Sequence, residues 1–425
     1  MKVRIMFFIV MICTVQTFAQ DMYLQCGEIF DSESGTFLTE RTIVVSGNKI
    51  KSIEKGFVSG KDMDNIVDLQ SKTVLPGFID MHVHIEGESN PSQYLDRFTK
   101  NDADVAFQST VYAKRTLMAG FTTVRDLGGS GVNIALGKAI GKGIVIGPRI
   151  FTAGKAIATT GGHADPTNGV RKELMHNPGP KEGVVNSPED ARKAVRQRYK
   201  NGADVIKITA TGGVMSVAKN GQNPQFTAAE LKAIVETAKD YGMLTAAHAH
   251  GDEGMRRAIV AGIQTIEHGT LMEEPTMELM IQYNTYLVPT ISAGKAAAAM
   301  ADIPNFLPAV VAKKAKEIGP ISEKNFKRAY EKGVPIAFGT DAGVSPHGDN
   351  GKEFTYMHEA GMPVVAALQS AMTTPAKLLG MDKALGILKA GYLADIVAVD
   401  ENPVHNVRTL ESVSFVMKEG KVYKE

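Results

Sequence analysis

The stretch Pro76-Gly77-Phe78-Ile79-Asp80-Met81-His82-Val83-His84 reads as a short apolar strand that ends in two histidines. Alternate side chains of a strand point the same way, so His82 and His84 project from one face at its carboxyl end. An isolated His-x-His is as often ordinary packing as half of a metal site. The rest of the chain tips that balance. Lys207 lies in Asp204-Val-Ile-Lys-Ile-Thr209, His248 in Ala-Ala-His-Ala-His-Gly251, His268 in Ile-Glu-His-Gly269, and Asp341 in Phe-Gly-Thr-Asp-Ala-Gly343. Each sits in or at the end of an apolar run that opens onto a glycine-containing loop.

Working outward, eight such runs follow one another: Phe78 to His84, Thr122 to Asp126, Arg149 to Ala153, Asp204 to Thr209, Leu244 to His248, Ile263 to His268, Tyr286 to Pro289 and Pro335 to Asp341. Helical stretches separate them, among them Val105 to Ala119, Ser187 to Asn201, Ala228 to Tyr241 and Ser322 to Lys332. Ser187 before Pro188, and Thr227 three residues before Glu230, are helix-start signals. Eight alternations of strand and helix predict an α/β fold, a (β/α)8 TIM barrel, in which chemistry sits at the carboxyl ends of the strands. The candidate ligands fall at those ends. Three loops are long enough to shape a pocket: Ala158 to Val185 with His163, Gly212 to Phe226, and Ser292 to about Gly319, read as a helical lid.

Before and after the barrel the texture changes to short alternating strands, Gly27 to Phe30, Thr42 to Val45 and Lys49 to Ile53, and then Ala394 to Val399, Val413 to Met417 and Gly420 to Tyr423. The expected organisation is a small β-sandwich module from residues 20–75 and 385–425 beside a hydrolase barrel over 76–384. Residues 1–19 carry Lys2 and Arg4, an apolar run from Ile5 to Val15, and Thr17-Phe18-Ala19, which predicts a signal peptide, cleavage near Ala19, and a periplasmic or secreted protein without a stable membrane span. Cys13 suggests a lipoprotein, but Ile12 fills a position where such signals want a small residue. Cleavage leaves Cys26 alone, so no intramolecular disulfide is expected.

At 425 residues the chain can bury a large core. Its 47 lysines and arginines nearly cancel 46 acidic residues, so no basic face points to nucleic acid and a small-molecule or dipeptide substrate fits better. A homo-oligomer is compatible with this composition.

Histidines, a carboxylate and a lysine on strands 1, 4, 5, 6 and 8 suit two divalent ions bridged by a solvent-derived hydroxide. His82, His84 and Asp341 would hold one ion, His248 and His268 the other. A lysine amine bridges cations poorly, but Lys207 could do so as a carbamate, which offers two oxygens and a negative charge. This set resembles the amidohydrolase superfamily. Within it, Thr122-Thr-Val-Arg-Asp126, Gly161-Gly-His163, Thr211-Gly-Gly-Val-Met-Ser216, His248-Ala-His-Gly251, Ile266-Glu-His-Gly269 and Gly339-Thr-Asp-Ala-Gly343 are similar to the imidazolonepropionase-related branch, which includes zinc-dependent Xaa-Pro and arginine or lysine dipeptidases and ochratoxin-type amidases.

The resemblance implies two Zn2+ ions, a carboxylated Lys207 and hydrolysis of an amide in dipeptides or N-acyl amino acids. Asp341 would be both ligand and catalytic proton carrier. Dipeptidases of the branch often carry a tyrosine near the position of Phe226 that can bind the substrate carboxylate. Phe226 has no hydroxyl, so His163, His250 and Arg125 are the expected substrate-binding residues. His176, His347, His358 and His405 read as surface or packing residues. The competing functions are a cyclic-amide hydrolase, against which Lys207 argues, and an inactive binding module, against which the complete ligand set argues.

Overall fold

A computed structural model describes residues 21–60, 65–217 and 221–425. The expected leader, residues 1–19 with Cys13, lies outside these. The strands in chain order are β1 (Met22–Asp31), β2 (Thr36–Ser46), β3 (Lys49–Lys55), β4 (Ile66–Pro76), β5 (Phe78–Val83), β6 (Phe121–Asp126), β7 (Arg149–Thr152), β8 (Val205–Thr209), β9 (Leu244–Ala249), β10 (Thr265–His268), β11 (Tyr286–Val288), β12 (Ile396–Val399), β13 (Phe415–Lys418) and β14 (Lys421–Lys424).

The terminal strands make one seven-stranded sheet in the order β14-β13-β12-β4-β1-β2-β3. Its two contributions meet where β12 pairs antiparallel with β4, Ile396 opposite Pro76 and Val399 opposite Thr73. Where the sequence predicts a sandwich, the hydrogen bonds trace a single sheet. Leu24, Cys26, Ile43, Ile50, Val74, Ile396 and Phe415 share one apolar cluster on it. The chain leaves at Gly77, where any side chain would press on Thr122: a Cβ there would come within 2.3 Å of the Thr122 hydroxyl oxygen.

The middle of the chain builds two parallel sheets, β5-β6-β7 and β8-β9-β10-β11. Both seams between them carry backbone hydrogen bonds. At one, Asp204 N donates to Thr152 O at 2.7 Å, and Ile157 links to Lys207 and Thr209. At the other, the eighth apolar run forms no regular strand but bridges β11 to β5. Ala337 N donates to Leu287 O at 2.9 Å, and Asp341 N to His82 O at 2.7 Å. Its irregularity has a local cause, since Asp341 takes a left-handed φ of 57°.

Helices pack outside the sheets and bury the main core, in which the rings of Phe78, Phe121, Phe338 and Phe354 form one connected cluster. The helix Pro188–Asn201 starts as its sequence predicts, Ser187 accepting from Asp190 N, and Ala228–Asp240 starts with the Thr227/Glu230 capping box. The expected lid resolves into two helices, Ile291–Ala301 and Ala309–Lys332. The second starts before the expected Ser322, at Ala309, and holds Pro320 inside it. Among the described residues no helix is long and apolar enough to cross a membrane.

Candidate active site

A cavity of about 820 Å3 opens at the carboxyl ends of the parallel strands, and His82, His84, His163, Lys207, His248, His250, His268 and Asp341 all line it. Strand alternation delivers most of them: Lys207 and Thr209 share a face of β8, and His248 and His250 a face at the end of β9. His268 reaches the cavity differently. It leaves the extended conformation with φ 73°, and Thr290, which holds it, has φ 50°. Left-handed backbone at three non-glycine residues of one site, Asp341 included, marks conformations the surrounding fold must impose.

The donors converge. His82 Nε2 and His84 Nε2 each lie 3.4 Å from Asp341 Oδ1, and His82, His268 and Asp341 bring ligand atoms within 4.8 Å of one another. His248 and His268 rings meet at 4.6 Å between centroids. His250 joins them more closely than the sequence suggests, completing a second group with His248 and His268. Burial lowers the pKa of every one of these imidazoles, His84 and His250 to about 4 and His82, His248 and His268 well below the usual value, with Lys314 adding to the effect at His250 and Lys207 or neighbouring histidines at the others. They are neutral at working pH, as ligands must be.

Two tautomers are fixed by carbonyls that can only accept. His84 Nδ1 donates to Gly128 O at 2.8 Å, leaving the Nε2 lone pair toward Asp341. His248 Nε2 donates to Gly212 O at 3.1 Å, leaving Nδ1. Thr290 Oγ1 lies 2.7 Å from His268 Nδ1, and Thr270 Oγ1 2.9 Å from His250 Nδ1. Both nitrogens of His82, Asp341 Oδ1 and Glu267 Oε2 are buried without a hydrogen-bond partner. His82 Nδ1 does lie 2.9 Å from Glu267 Oε2. The distance is short but the alignment is off, so it counts as an electrostatic contact rather than a hydrogen bond. Orphaned nitrogen and carboxylate atoms around oriented neutral imidazoles fit divalent metal ions.

Lys207 is buried in the middle of β8, with its amine toward the cavity. Burial drives its pKa down to about 8 against the pull of Glu267 and Asp341. Asp341 moves the other way, to about 7, again chiefly by burial.

His163 stacks on His248 with centroids 4.3 Å apart and keeps a buried Nδ1 unpartnered. Its ring fits only because residue 213 is glycine, since a Cβ there would stand 2.2 Å from His163 Cε1. Arg125 is not where a substrate-binding residue belongs. It is fully buried below the cavity and does not line it. Its guanidinium donates to Met81 O, to Thr265 Oγ1 and, at 2.8 Å, to Glu267 Oε1. Phe226 likewise packs in the main core and is not among the residues that line the cavity. His347 is buried against Tyr112 and Gly87, while His176, His358 and His405 are exposed.

The supporting groups went unread in the sequence. Asp80 accepts from His82 N, Thr340 N, Thr340 Oγ1 and Asn350 Nδ2, tying the His82 strand to the Asp341 segment. Its signal was present, an acid inside an apolar strand two residues before His82. Glu267, one residue before His268, couples Arg125 to His82. On a regular strand it would face away from its neighbour, so alternation alone hides it.

The Amidohydrolase family model matches residues 73–424. The chain belongs to the amidohydrolase family. Ochratoxinase from Aspergillus niger is 32% identical over 371 residues, covering 83% of this chain and 75% of that protein. Among solved structures, a Xaa-Pro dipeptidase with methionine bound in its active site superposes with a TM-score of 0.93 at 51% identity, covering 96% of this amidohydrolase and 100% of that chain. A prolidase complexed with N-methylphosphonate-L-proline gives 0.87 at 32%, with the same coverage of each chain. The protein is thus a hydrolase acting on carbon–nitrogen bonds, as its motifs imply.

Proposed function

We propose that this amidohydrolase is an exported binuclear metal-dependent dipeptidase that cleaves the amide next to a free carboxylate. The observation that carries the reading is the convergence of His82, His84, His248, His268 and Asp341 around a buried Lys207, with the tautomers of His84 and His248 fixed by backbone carbonyls. The two parallel sheets, bonded along both seams, are read as one (β/α)8 barrel spanning about residues 76–384, with the seven-stranded sheet as its appended module.

His82, His84 and Asp341 would hold one zinc ion and His248 and His268 the second, with Lys207 bridging as its carbamate. The amine of Lys207, lowered toward neutrality by burial, is nucleophilic enough to take up carbon dioxide. When bound, such ions acidify a shared water and polarise the amide carbonyl. The chain supplies the remainder. Asp341 accepts the proton released by the attacking water and hands it to the departing nitrogen. His163 and His250, beside His248, offer ring N–H groups to the substrate carboxylate. Methionine and N-methylphosphonate-L-proline, the ligands of the two similar structures, are both built on an amino acid, which supports a pocket for an amino-acid product. The leader-like composition of residues 1–19 supports export.

Metal content per chain, measured beside hydrolysis of a dipeptide library in free and amidated form, tests the proposal. Two ions per chain and a loss of kcat/KM on the order of 10²-fold or more on amidation are expected. Equal rates on both forms, or brisk opening of a cyclic amide with no dipeptide cleaved, would reassign the substrate.

A further inference from the structure

Part of the cavity lining is an apolar wall. Val214 and Met215 from the loop after β8, Ala297, Ala315 and Ile318 from the two lid helices, and Val344 make it up and form a cluster separate from the main core. Met215, Ile318 and Val344 are only half-buried, so their apolar surface faces the cavity.

This wall is rigid. The lid helices cross almost backbone to backbone, since a Cβ on Gly319 would lie 2.7 Å from Gly294 O. Lys314 bolts the second helix to the loop, donating to Gly213 O at 2.7 Å and Ser216 O at 2.6 Å. Its charge is thereby engaged. Elsewhere the lining carries charges, several of them engaged: Glu86 accepts from Ser130 N and Asn133 N, Arg97 donates to Pro166 O and Asn168 O, and Lys100 to Asp96 and Gln108, while Glu88 and Asp102 also line the cavity.

Position fixes what enters. The His163 ring lies against Gly213, and Val214 and Met215 follow directly. A carboxylate held by His163 therefore sets its own Cα beside the apolar wall. We infer that this wall receives the side chain of the substrate's carboxyl-terminal residue and selects a large apolar one. The inference rests on the dipeptidase reading. A preformed apolar surface gains with each methylene it covers, whereas a charged side chain loses water and meets no partner on that wall.

The test uses the metal-loaded enzyme on two series, Gly-Xaa and Xaa-Gly, with Xaa as Ala, Leu, Met, Phe, Asp and Lys. In Gly-Xaa, kcat/KM is expected to rise about 10-fold or more from Ala to Leu, Met or Phe, and to fall for Asp and Lys on the order of 10²-fold below Leu. Ile318→Asp should cost Gly-Leu about 10-fold and narrow its lead over Gly-Lys, with metal content unchanged. A flat Gly-Xaa series, or a rise confined to Xaa-Gly, overturns the inference and leaves the dipeptidase standing. No hydrolysis in either series removes both. The wild-type series decides even if the variant does not fold.

Discussion

Lys207 carries the most chemistry on the fewest atoms. Its place inside an apolar strand is legible as sequence, and the structure adds what the sequence lacks: burial, a depressed pKa, and Glu267 and Asp341 as the charges it feels. Lys207→Ala should lose bound metal and at least about 10²-fold in turnover, and short carboxylic acids should return part of both by supplying the missing oxygens. Metal analysis with and without propionate checks this, and full metal content in the variant would remove the bridge. Arg125 shows where residue-level reading failed. A cation near a strand end suggests a substrate anchor, but the side chain turns under the site and is engaged by Glu267. What decided its direction was a buried acid from another strand, 142 residues away, which no local pattern announces. Thr290 shows the same limit, since its contact with His268 spans 22 residues, whereas Asp80 binds both His82 N two residues on and the distant Thr340 and Asn350.

At the scale of elements, the strands and helix starts were readable because their signals are local: period-two alternation, Ser187 before Pro188, and the Thr227/Glu230 pair. The eighth run was read as a strand because its composition is strand-like, and its bent path is set by Asp341 binding back to His82 O. The lid loop and the helix from Ser322 look separate in sequence, whereas the structure joins them in one helix, Ala309–Lys332, that runs through Pro320 and packs Gly319 on Gly294. The loop after β8 makes a testable element. Gly213→Ala would drive a methyl into the His163 ring. If that ring binds the substrate carboxylate, KM should rise about 10-fold or more with metal content unaltered, as steady-state kinetics and metal analysis would show. Unchanged KM would take His163 out of substrate binding.

Across the whole molecule, the expected ligands are contributed by both parallel sheets and by the segment that joins them, so bound metal fastens parts that otherwise meet through backbone hydrogen bonds. A ligand that binds only the folded state stabilises it by mass action. Removing metal with a chelator should therefore lower Tm by about 5 °C or more, and restoring zinc should recover it. Equal melting with and without metal would mean the ions are held without bracing the fold.

The seven-stranded sheet sets an order of events for the growing chain. β4 is made early, yet its antiparallel neighbour β12 follows it by more than three hundred residues, with Thr73 awaiting Val399. Until synthesis nears its end, β4 presents an open edge whose backbone groups are available to any other strand. Pairing so distant in sequence is slow to find, and an unpaired edge at high concentration invites contact between molecules. Refolding yield should therefore fall steeply with protein concentration, whereas in the finished sheet β12 covers that edge.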